Sequence, residues 1–264
     1  MHFVVCIKQV SDSRDASFDP HDHRLVREGV PAIINPFDMY AIEEGLRLKA
    51  RTGGTVTVIS MGPPRAEEAL REAIAMGADN GILLSDPAFA GSDTCATSYA
   101  LSMAIRKIGD YTLILCGKQS SDGETAQTGP GIAMHLDLPQ ITCVRKIEEL
   151  TDKSIVAERM LEKGYEVVES SLPCVLTVVK EINEPRYPSL KGKMAARKAV
   201  IQKWTAKDMD ADPARLGLSG SPTRVVRIFM PVQRPNGEMI DGEPAEMIAR
   251  LVDKLKDTVI EVSA

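Results

Sequence analysis

The sequence has no excess of positive charge. Its 32 Lys and Arg are outnumbered by 37 Asp and Glu, giving a net charge of -5, and aromatic residues make up 4%. It has neither the basic stripe nor the aromatic platform that nucleic-acid binding calls for, so nucleic acid is excluded as an expected partner. Long apolar runs are missing too. The opening MHFVVCIKQV ends its apolar stretch at Lys8, too short for a signal peptide, and no later run is long enough to span a bilayer. The expectation is a cytoplasmic protein whose first strand is buried. Cysteine is scarce: Cys6, Cys95, Cys116, Cys143 and Cys174 form no Cys-x-x-Cys pair. That excludes a zinc site or a disulfide framework, and Cys6, Cys116 and Cys174 read as buried thiols in apolar strands. Of the four histidines, His21 and His23 lie beside Asp19 and Asp22 in a turn-like stretch that reads as a solvated loop, with no metal expected. There is no Gly-x-Ser-x-Gly elbow, and no histidine is placed to serve Ser120 or Ser121 as a base, which argues against an autonomous hydrolase. A chain this poor in catalytic groups suits chemistry carried by a bound cofactor.

What is present is an alternation of strand-like and helix-like segments. FVVCIKQV reads as a strand, and Asn35-Pro36-Phe37-Asp38 as a turn with Asp38 as N-cap of the helix MYAIEEGLRLKAR. That helix places Met39, Ile42 and Leu46 on one face and stops at Gly53-Gly54. Strand 55–60, the turn Met61-Gly62-Pro63-Pro64, helix 65–76, strand 81–85, helix 93–107 (capped by Ser92 or Asp93) and strand 112–116 follow. Apolar residues make up 44% of the chain, enough for one large α/β core with an appendage or for two small domains. The repeated strand–helix unit predicts an α/β fold, a doubly wound, mostly parallel, Rossmann-like sheet with helices on both faces. Ligands in such sheets bind at the carboxyl ends of the strands, so the turns after Gln9, Asn35, Ser60 and Cys116 should converge on one edge. After about Thr142 the pattern changes to a hairpin, KSIVAERM with GYEVVESS, then the strand PCVLTVVKEI, a segment rich in Pro, Lys and Arg, and a closing amphipathic helix, AEMIARLVDKLKD.

The stretch GKQSSDGETAQTGPG (117–131) directly follows the fourth strand. It is neither a Walker A loop nor Gly-x-Gly-x-x-Gly. Gly117 and Gly123 permit close backbone approach and positive φ, and Asp122 and Glu124 are candidate caps. Thr125, Gln127 and Thr128 offer polar groups on a first helical turn, where Pro130 is tolerated. A helix N-terminus here suits a phosphate. The physics of the loop leaves two readings open, a capped helix start without a ligand and a site for a nucleotide-like phosphate.

The stretches VVCIKQV, INPFDMYAIEEGLRLK, MGPPRAEEALREAIAMGAD, GKQSSDGETAQTGPGIAMHLDLPQIT and NEPRYPSL, in this order, resemble the β subunit of electron-transfer flavoproteins across essentially the whole chain. The resemblance implies a heterodimer with an α subunit that carries a redox FAD. It also implies a nucleotide in this chain, either a structural AMP or a second FAD that accepts electrons from NADH and bifurcates them. DGETAQTGP, INPFD, MGPP and FAGSDTCATS are similar to the bifurcating type, in which small residues at Gly123 and Ala126 leave room for a diphosphate and put less negative charge beside it. Carried over by position, the nucleotide would touch Cys6, Ile7, Lys8 and Val10; Asn35 and Asp38; Ser60, Met61 and Gly62. Asp93, Thr94 and Thr97 would lie near the flavin end. Gly117, Lys118, Gln119, Asp122, Gly123, Glu124, Thr125, Gln127 and Thr128 would hold the phosphates and ribose.

By the same resemblance, residues 1–203 form the nucleotide-binding domain and 204–264 a C-terminal arm that packs on the α subunit. The loop 183–198 would dock an acyl-CoA dehydrogenase or a related enzyme through Glu184, Pro185, Arg186, Tyr187, Leu190 and Met194, with Leu190 as an exposed anchor. Leu190-Lys191 stands where other members often have Leu-Pro. A bifurcating member would also serve a low-potential acceptor such as ferredoxin. Two other functions fit the residues: a single-flavin carrier with AMP in this chain, and a nucleotide-sensing regulatory module without redox chemistry.

Overall fold

The computed structural model describes residues 1–12, 17–18, 25–26, 31–226 and 237–262, so the His21 and His23 stretch lies outside the described residues. The chain divides into two compact units, Met1–Val226 and Arg227–Ala264. The first unit contains strands β1 (His2–Ile7), β2 (Gln9–Ser11), β3 (Ser17–Phe18), β4 (Leu25–Val26) and β5 (Ala32–Ile34), then helix α1 (Pro36–Thr52). β6 (Thr55–Met61), α2 (Glu67–Met76), β7 (Asn80–Leu84), α3 (Thr94–Ile108), β8 (Leu113–Gly117) and α4 (Thr128–Leu136) follow. It continues with β9 (Gln140–Leu150), β10 (Ser154–Leu161), β11 (Gly164–Ser171), β12 (Cys174–Val178), α5 (Leu190–Lys198) and β13 (Gln202–Trp204). The second unit holds α6 (Pro244–Val262).

Nine strands make one sheet in the order β11-β10-β9-β12-β8-β1-β6-β7-β13. Neighbours from β9 to β13 are parallel, and β10 is antiparallel to both β9 and β11. This is the α/β, mostly parallel sheet that the alternating segments predict. From Phe3 to Ile7, β1 is buried on both faces and is apolar over that stretch. Its Phe3, Val5 and Ile7 enter the core under α1 and α2, while Val4 and Cys6 enter the core under α3 and α4. β6 and β7 are laid down on one side of β1, and α3 then carries the chain across to place β8 on the other side. The winding reverses between β1 and β8, and in open parallel sheets that reversal opens a crevice at the carboxyl ends.

Four local features depart from the sequence reading. FVVCIKQV is not one strand: it breaks at Lys8, and Gln9–Ser11 pairs with β5 in a separate ribbon. The cause is the Asp38 carboxylate, which takes the Lys8 N–H at 2.7 Å in place of a ladder partner. Asp38 is therefore not the N-cap of α1. Asn35 holds that position, with Pro36 in the first turn, and Asp38 is turned inward and buried. Residues 140–150, to which the sequence reading assigns no element, form β9. Ile141, Val144 and Ile147 are its buried apolar residues at a spacing of three, which mimics a helix, because the pairing shifts register and Cys143 adopts φ 58°. Finally, residues 204–226 stay with the first unit, whose edge strand is β13.

Candidate functional site

A cavity of ≈ 340 Å³ opens at the carboxyl ends of β1 and β8. Its floor is Cys6 and Cys116, register partners on adjacent parallel strands. Both thiols are buried. The hydrogen bond Cys6 donates to Cys116, burial, and the negative charges of Cys116 and Asp38 all push the Cys6 pKa well above the usual thiol value. That makes Cys6 an apolar floor and not a nucleophile.

Asn35 and Asp38, at the start of α1, shape the wall made by the loop after β8. The Asn35 side chain donates to the Gln119 carbonyl at 2.8 Å and accepts the Ser121 N–H at 3.0 Å. The Asp38 carboxylate accepts from the Lys8 N–H and is also bonded by the Asn35 side chain and the Gly117 N–H. A Cβ on Gly117 would collide with Asp38 Oδ1 and with Phe37, so this strand end can approach α1 only as glycine. Burial dominates the Asp38 carboxyl and raises its pKa to about 7; the three donors and the Lys8 charge pull the other way.

The loop itself differs from its sequence reading in where its strain and its charges lie. Positive φ falls on Glu124 (52°) and Ala126 (54°), not on Gly117 or Gly123. Asp122 caps no helix. It takes the Lys8 ammonium at 2.6 and 2.8 Å, and although its burial pushes upward, the Lys8 bond and charge and the Ser120 hydroxyl hold its carboxyl below the usual range. α4 begins at Thr128 with Gln127 at the cap position, and no side chain among the described residues caps it. Its first turn therefore offers free N–H groups and the positive end of the helix dipole to the cavity.

The start of α3 is the opposite case. The Asp93 Oδ1 atom accepts the Cys95 and Ala96 N–H groups at 2.9 and 3.1 Å, so this helix end is already occupied by a carboxylate. Desolvation pushes Asp93 up, but the bonds from Ala96, Thr223 and Cys95 outweigh it and hold the carboxyl below its ordinary value. The Thr94 hydroxyl donates to Gln127 Oε1 at 2.9 Å and links the two helix starts.

Of the residues singled out from the sequence, the structure gathers Cys6, Ile7, Lys8, Asn35, Asp38, Met61, Asp93, Thr94, Thr97, Gly117, Lys118, Gln119, Gly123, Thr125, Gln127 and Thr128 around the cavity. Val10 is buried in the β2–β5 ribbon, Ser60 is buried inside the sheet, and Gly62, Asp122 and Glu124 lie off the lining. The lining adds Ser92, Leu101, Cys116, Ser120, Ala126 and Gly129. Most of these are sequence neighbours of residues already chosen. Leu101 carries no signal of its own, being one more apolar residue on the buried face of α3.

The segment 183–198 is mounted on α1 and ends in α5. The Arg186 guanidinium forks onto Glu43 at 2.7 and 3.0 Å, Asn183 donates to the Tyr40 carbonyl and to Glu44, and Ser189 caps α5. Tyr187, Leu190 and Met194 are left exposed, Leu190 at 79%.

The electron transfer flavoprotein domain family matches residues 22–209. The chain is 52% identical to the electron transfer flavoprotein subunit beta of Thermoanaerobacterium thermosaccharolyticum, over 97% of this chain and 98% of that one. It is 47% identical to the caffeyl-CoA reductase-Etf complex subunit CarD of Acetobacterium woodii, over 97% and 98%. It is 45% identical to protein FixA of Bradyrhizobium diazoefficiens, over 97% and 91%. With a doubly wound sheet, a cavity at its reversal point and these relatives matched almost end to end, the chain belongs to the electron transfer flavoprotein family, among its β subunits.

Proposed function

We propose that this chain is the β subunit of an electron-bifurcating flavoprotein and that the cavity between β1 and β8 holds FAD. The observation that carries this reading is electrostatic. The uncapped start of α4 faces a cavity whose lining carboxylates are engaged, Asp93 by α3 and Asp38 by the Lys8 and Gly117 backbone, while off the lining Asp122 is held by Lys8. A diphosphate there would meet N–H groups and a helix dipole without an opposing free carboxylate in the lining. Thr125, Gln127 and Thr128 would hold phosphate and ribose oxygens. Met61 and Leu101 add apolar surface to the lining, which a ring system uses and a sugar phosphate does not.

When bound, FAD supplies acceptance of hydride from NADH and its passage as single electrons to the α-subunit FAD and to a low-potential acceptor such as ferredoxin. The chain's own groups bind and orient; none acts as a general acid or base. Asn35 and Asp38 fix the loop 117–121, Lys8 neutralises Asp122, and the Cys6–Cys116 floor excludes water. Exposed Tyr187, Leu190 and Met194 would dock an acyl-CoA dehydrogenase-like enzyme, in keeping with the relative named for a caffeyl-CoA reductase complex. The amphipathic α6 would pack on the α subunit.

A second reading, structural AMP, is favoured by size. At ≈ 340 Å³ the cavity lies at the small end of the range for small-molecule sites, about 300–1,000 Å³, and suits a mononucleotide. On the FAD reading the remainder of the pocket comes from the α subunit, and the isolated chain binds weakly. Acid release of nucleotides from the co-purified αβ complex separates the two. Two FAD and no AMP per heterodimer is the expected result; one FAD and one AMP would overturn it.

A further inference from the structure

The far oxygen of Asp93 does a second job. While Oδ1 caps α3, Oδ2 accepts both the N–H and the hydroxyl of Thr223, each at 2.9 Å. The Asp93 N–H in turn donates to the Ser221 hydroxyl at 2.8 Å. The same strand of chain is pinned at several points. The Gly217 N–H donates to the Ser92 hydroxyl at 3.1 Å, and the Ser221 hydroxyl donates to the Gly217 carbonyl at 2.6 Å. Gly217 holds φ 55°, and a Cβ there would collide with the Ala88 and Ala90 carbonyls. Upstream, the Asp212 N–H donates to the Tyr99 hydroxyl, and the Arg215 guanidinium lies 3.8 Å over the Tyr99 ring. Residues 212–223 thus form a strap over the first turns of α3. Two of the residues that hold it, Ser92 and Asp93, line the cavity, and the first unit ends just beyond it at Val226.

We propose that Asp93 is a positioning residue: its carboxylate joins the cavity wall to the strap, so that filling the cavity and fixing the chain's exit at Thr223 are coupled. The inference rests on the nucleotide reading above and adds a route from that site to the C-terminal segment. A ligand against the α3 start restrains Asp93 and Thr94, and whatever holds Asp93 in place holds Thr223. By linkage, a fixed strap must tighten the ligand by the same factor that the ligand tightens the strap. Cap and strap use different oxygens, so they separate in one isosteric change. In Asp93→Asn the amide oxygen still accepts from Cys95 and Ala96, whereas its NH2 faces the Thr223 N–H as donor against donor.

The test is amide hydrogen exchange on the αβ complex, stripped of nucleotide and titrated with FAD and, separately, with AMP. In the wild type, nucleotide should slow exchange in peptides covering 117–129 and 216–223 alike. Asp93→Asn should keep the Cys95 and Ala96 amides protected, lose the nucleotide-dependent protection of 216–223, and bind nucleotide about five- to tenfold more weakly. Thr223→Val, which removes the hydroxyl bond alone, should give a smaller change in the same direction. Protection of 216–223 that persists in Asp93→Asn overturns the proposal. So does a wild type in which 117–129 responds to nucleotide and 216–223 does not. A wild type in which neither region responds overturns the nucleotide reading, and the coupling with it.

Discussion

Asp38 shows how one side chain can be pulled in two directions. Its burial favours the neutral acid and brings the pKa to about 7, although Lys8, Asn35 and Gly117 all donate to it and favour the carboxylate. A carboxyl raised above its unfolded value binds its proton more readily in the folded chain. Stability from this residue is therefore greatest at acid pH and is lost as pH rises through the window between the ordinary carboxylate value and about 7. Asp38→Asn removes that titration. The variant should be the less stable form near pH 4 and gain on the wild type up to about pH 8, the gap closing by up to about 4 kcal/mol. Urea unfolding of both proteins across this range checks it; a constant difference would mean that Asp38 titrates normally. The sequence marked Asp38 as functional but misread its role. A short acidic residue after Asn-Pro has the signature of a cap, and nothing local reveals that Lys8 and Gly117, distant in sequence, would supply its donors.

At the scale of elements, the segment 183–198 is a rigid mount with a separate tip. Arg186 and Arg47 both hold Glu43, whose burial pushes upward but whose bonds keep its carboxyl below the usual range. Leu190 touches little of its own chain, so Leu190→Ala should leave stability within about 0.5 kcal/mol. The same variant should weaken use of an acyl-CoA dehydrogenase-type partner by at least about fivefold in kcat/KM. Arg186→Ala should do both kinds of damage. It should cost about 1 kcal/mol, discounted because the guanidinium is half exposed, and lower partner turnover as well. Unfolding curves and partner titrations distinguish tip from mount. Elements with strong periodicity were legible from sequence: α2, α3, β6, β7, β8 and the β10–β11 hairpin fall within two residues of their expected ranges. β9 was not, because a strand whose pairing slips register buries its apolar residues at a helical spacing. The end of β1 was missed for the reason Asp38 was, a side chain competing for a ladder N–H.

For the whole molecule, the doubly wound sheet and its ligand edge follow from the order of segments alone, since parallel crossovers of one hand leave few alternatives. The division of the chain did not follow. Residues 204–226 carry turn signals and little apolar content, which reads as an arm, yet they are held by hydrogen bonds to Ser92, Asp93 and Tyr99 that no periodicity encodes. Both hydrophobic cores lie within the first unit. A chain ending at Val226 should therefore fold with a far-ultraviolet spectrum and melting temperature close to those of that unit in the full chain. In α6, Ile248, Leu251, Val252 and Leu255 are exposed at helical spacing. The full-length chain without its α subunit should accordingly self-associate, and the truncated chain should not; light scattering reads the difference directly.

The junction of Asn35 with Pro36 also bears on how the protein ages. Asparagine decays to aspartate when the following backbone nitrogen attacks its side-chain amide, and a proline nitrogen has no hydrogen to lose in that attack. At this position the loss would be severe: an aspartate could still accept the Ser121 N–H but could no longer donate to the Gln119 carbonyl. The residue that orders α1 against the loop after β8 is thus followed by the one neighbour that blocks its deamidation by this route, and long storage should leave the Asn35 side chain an amide.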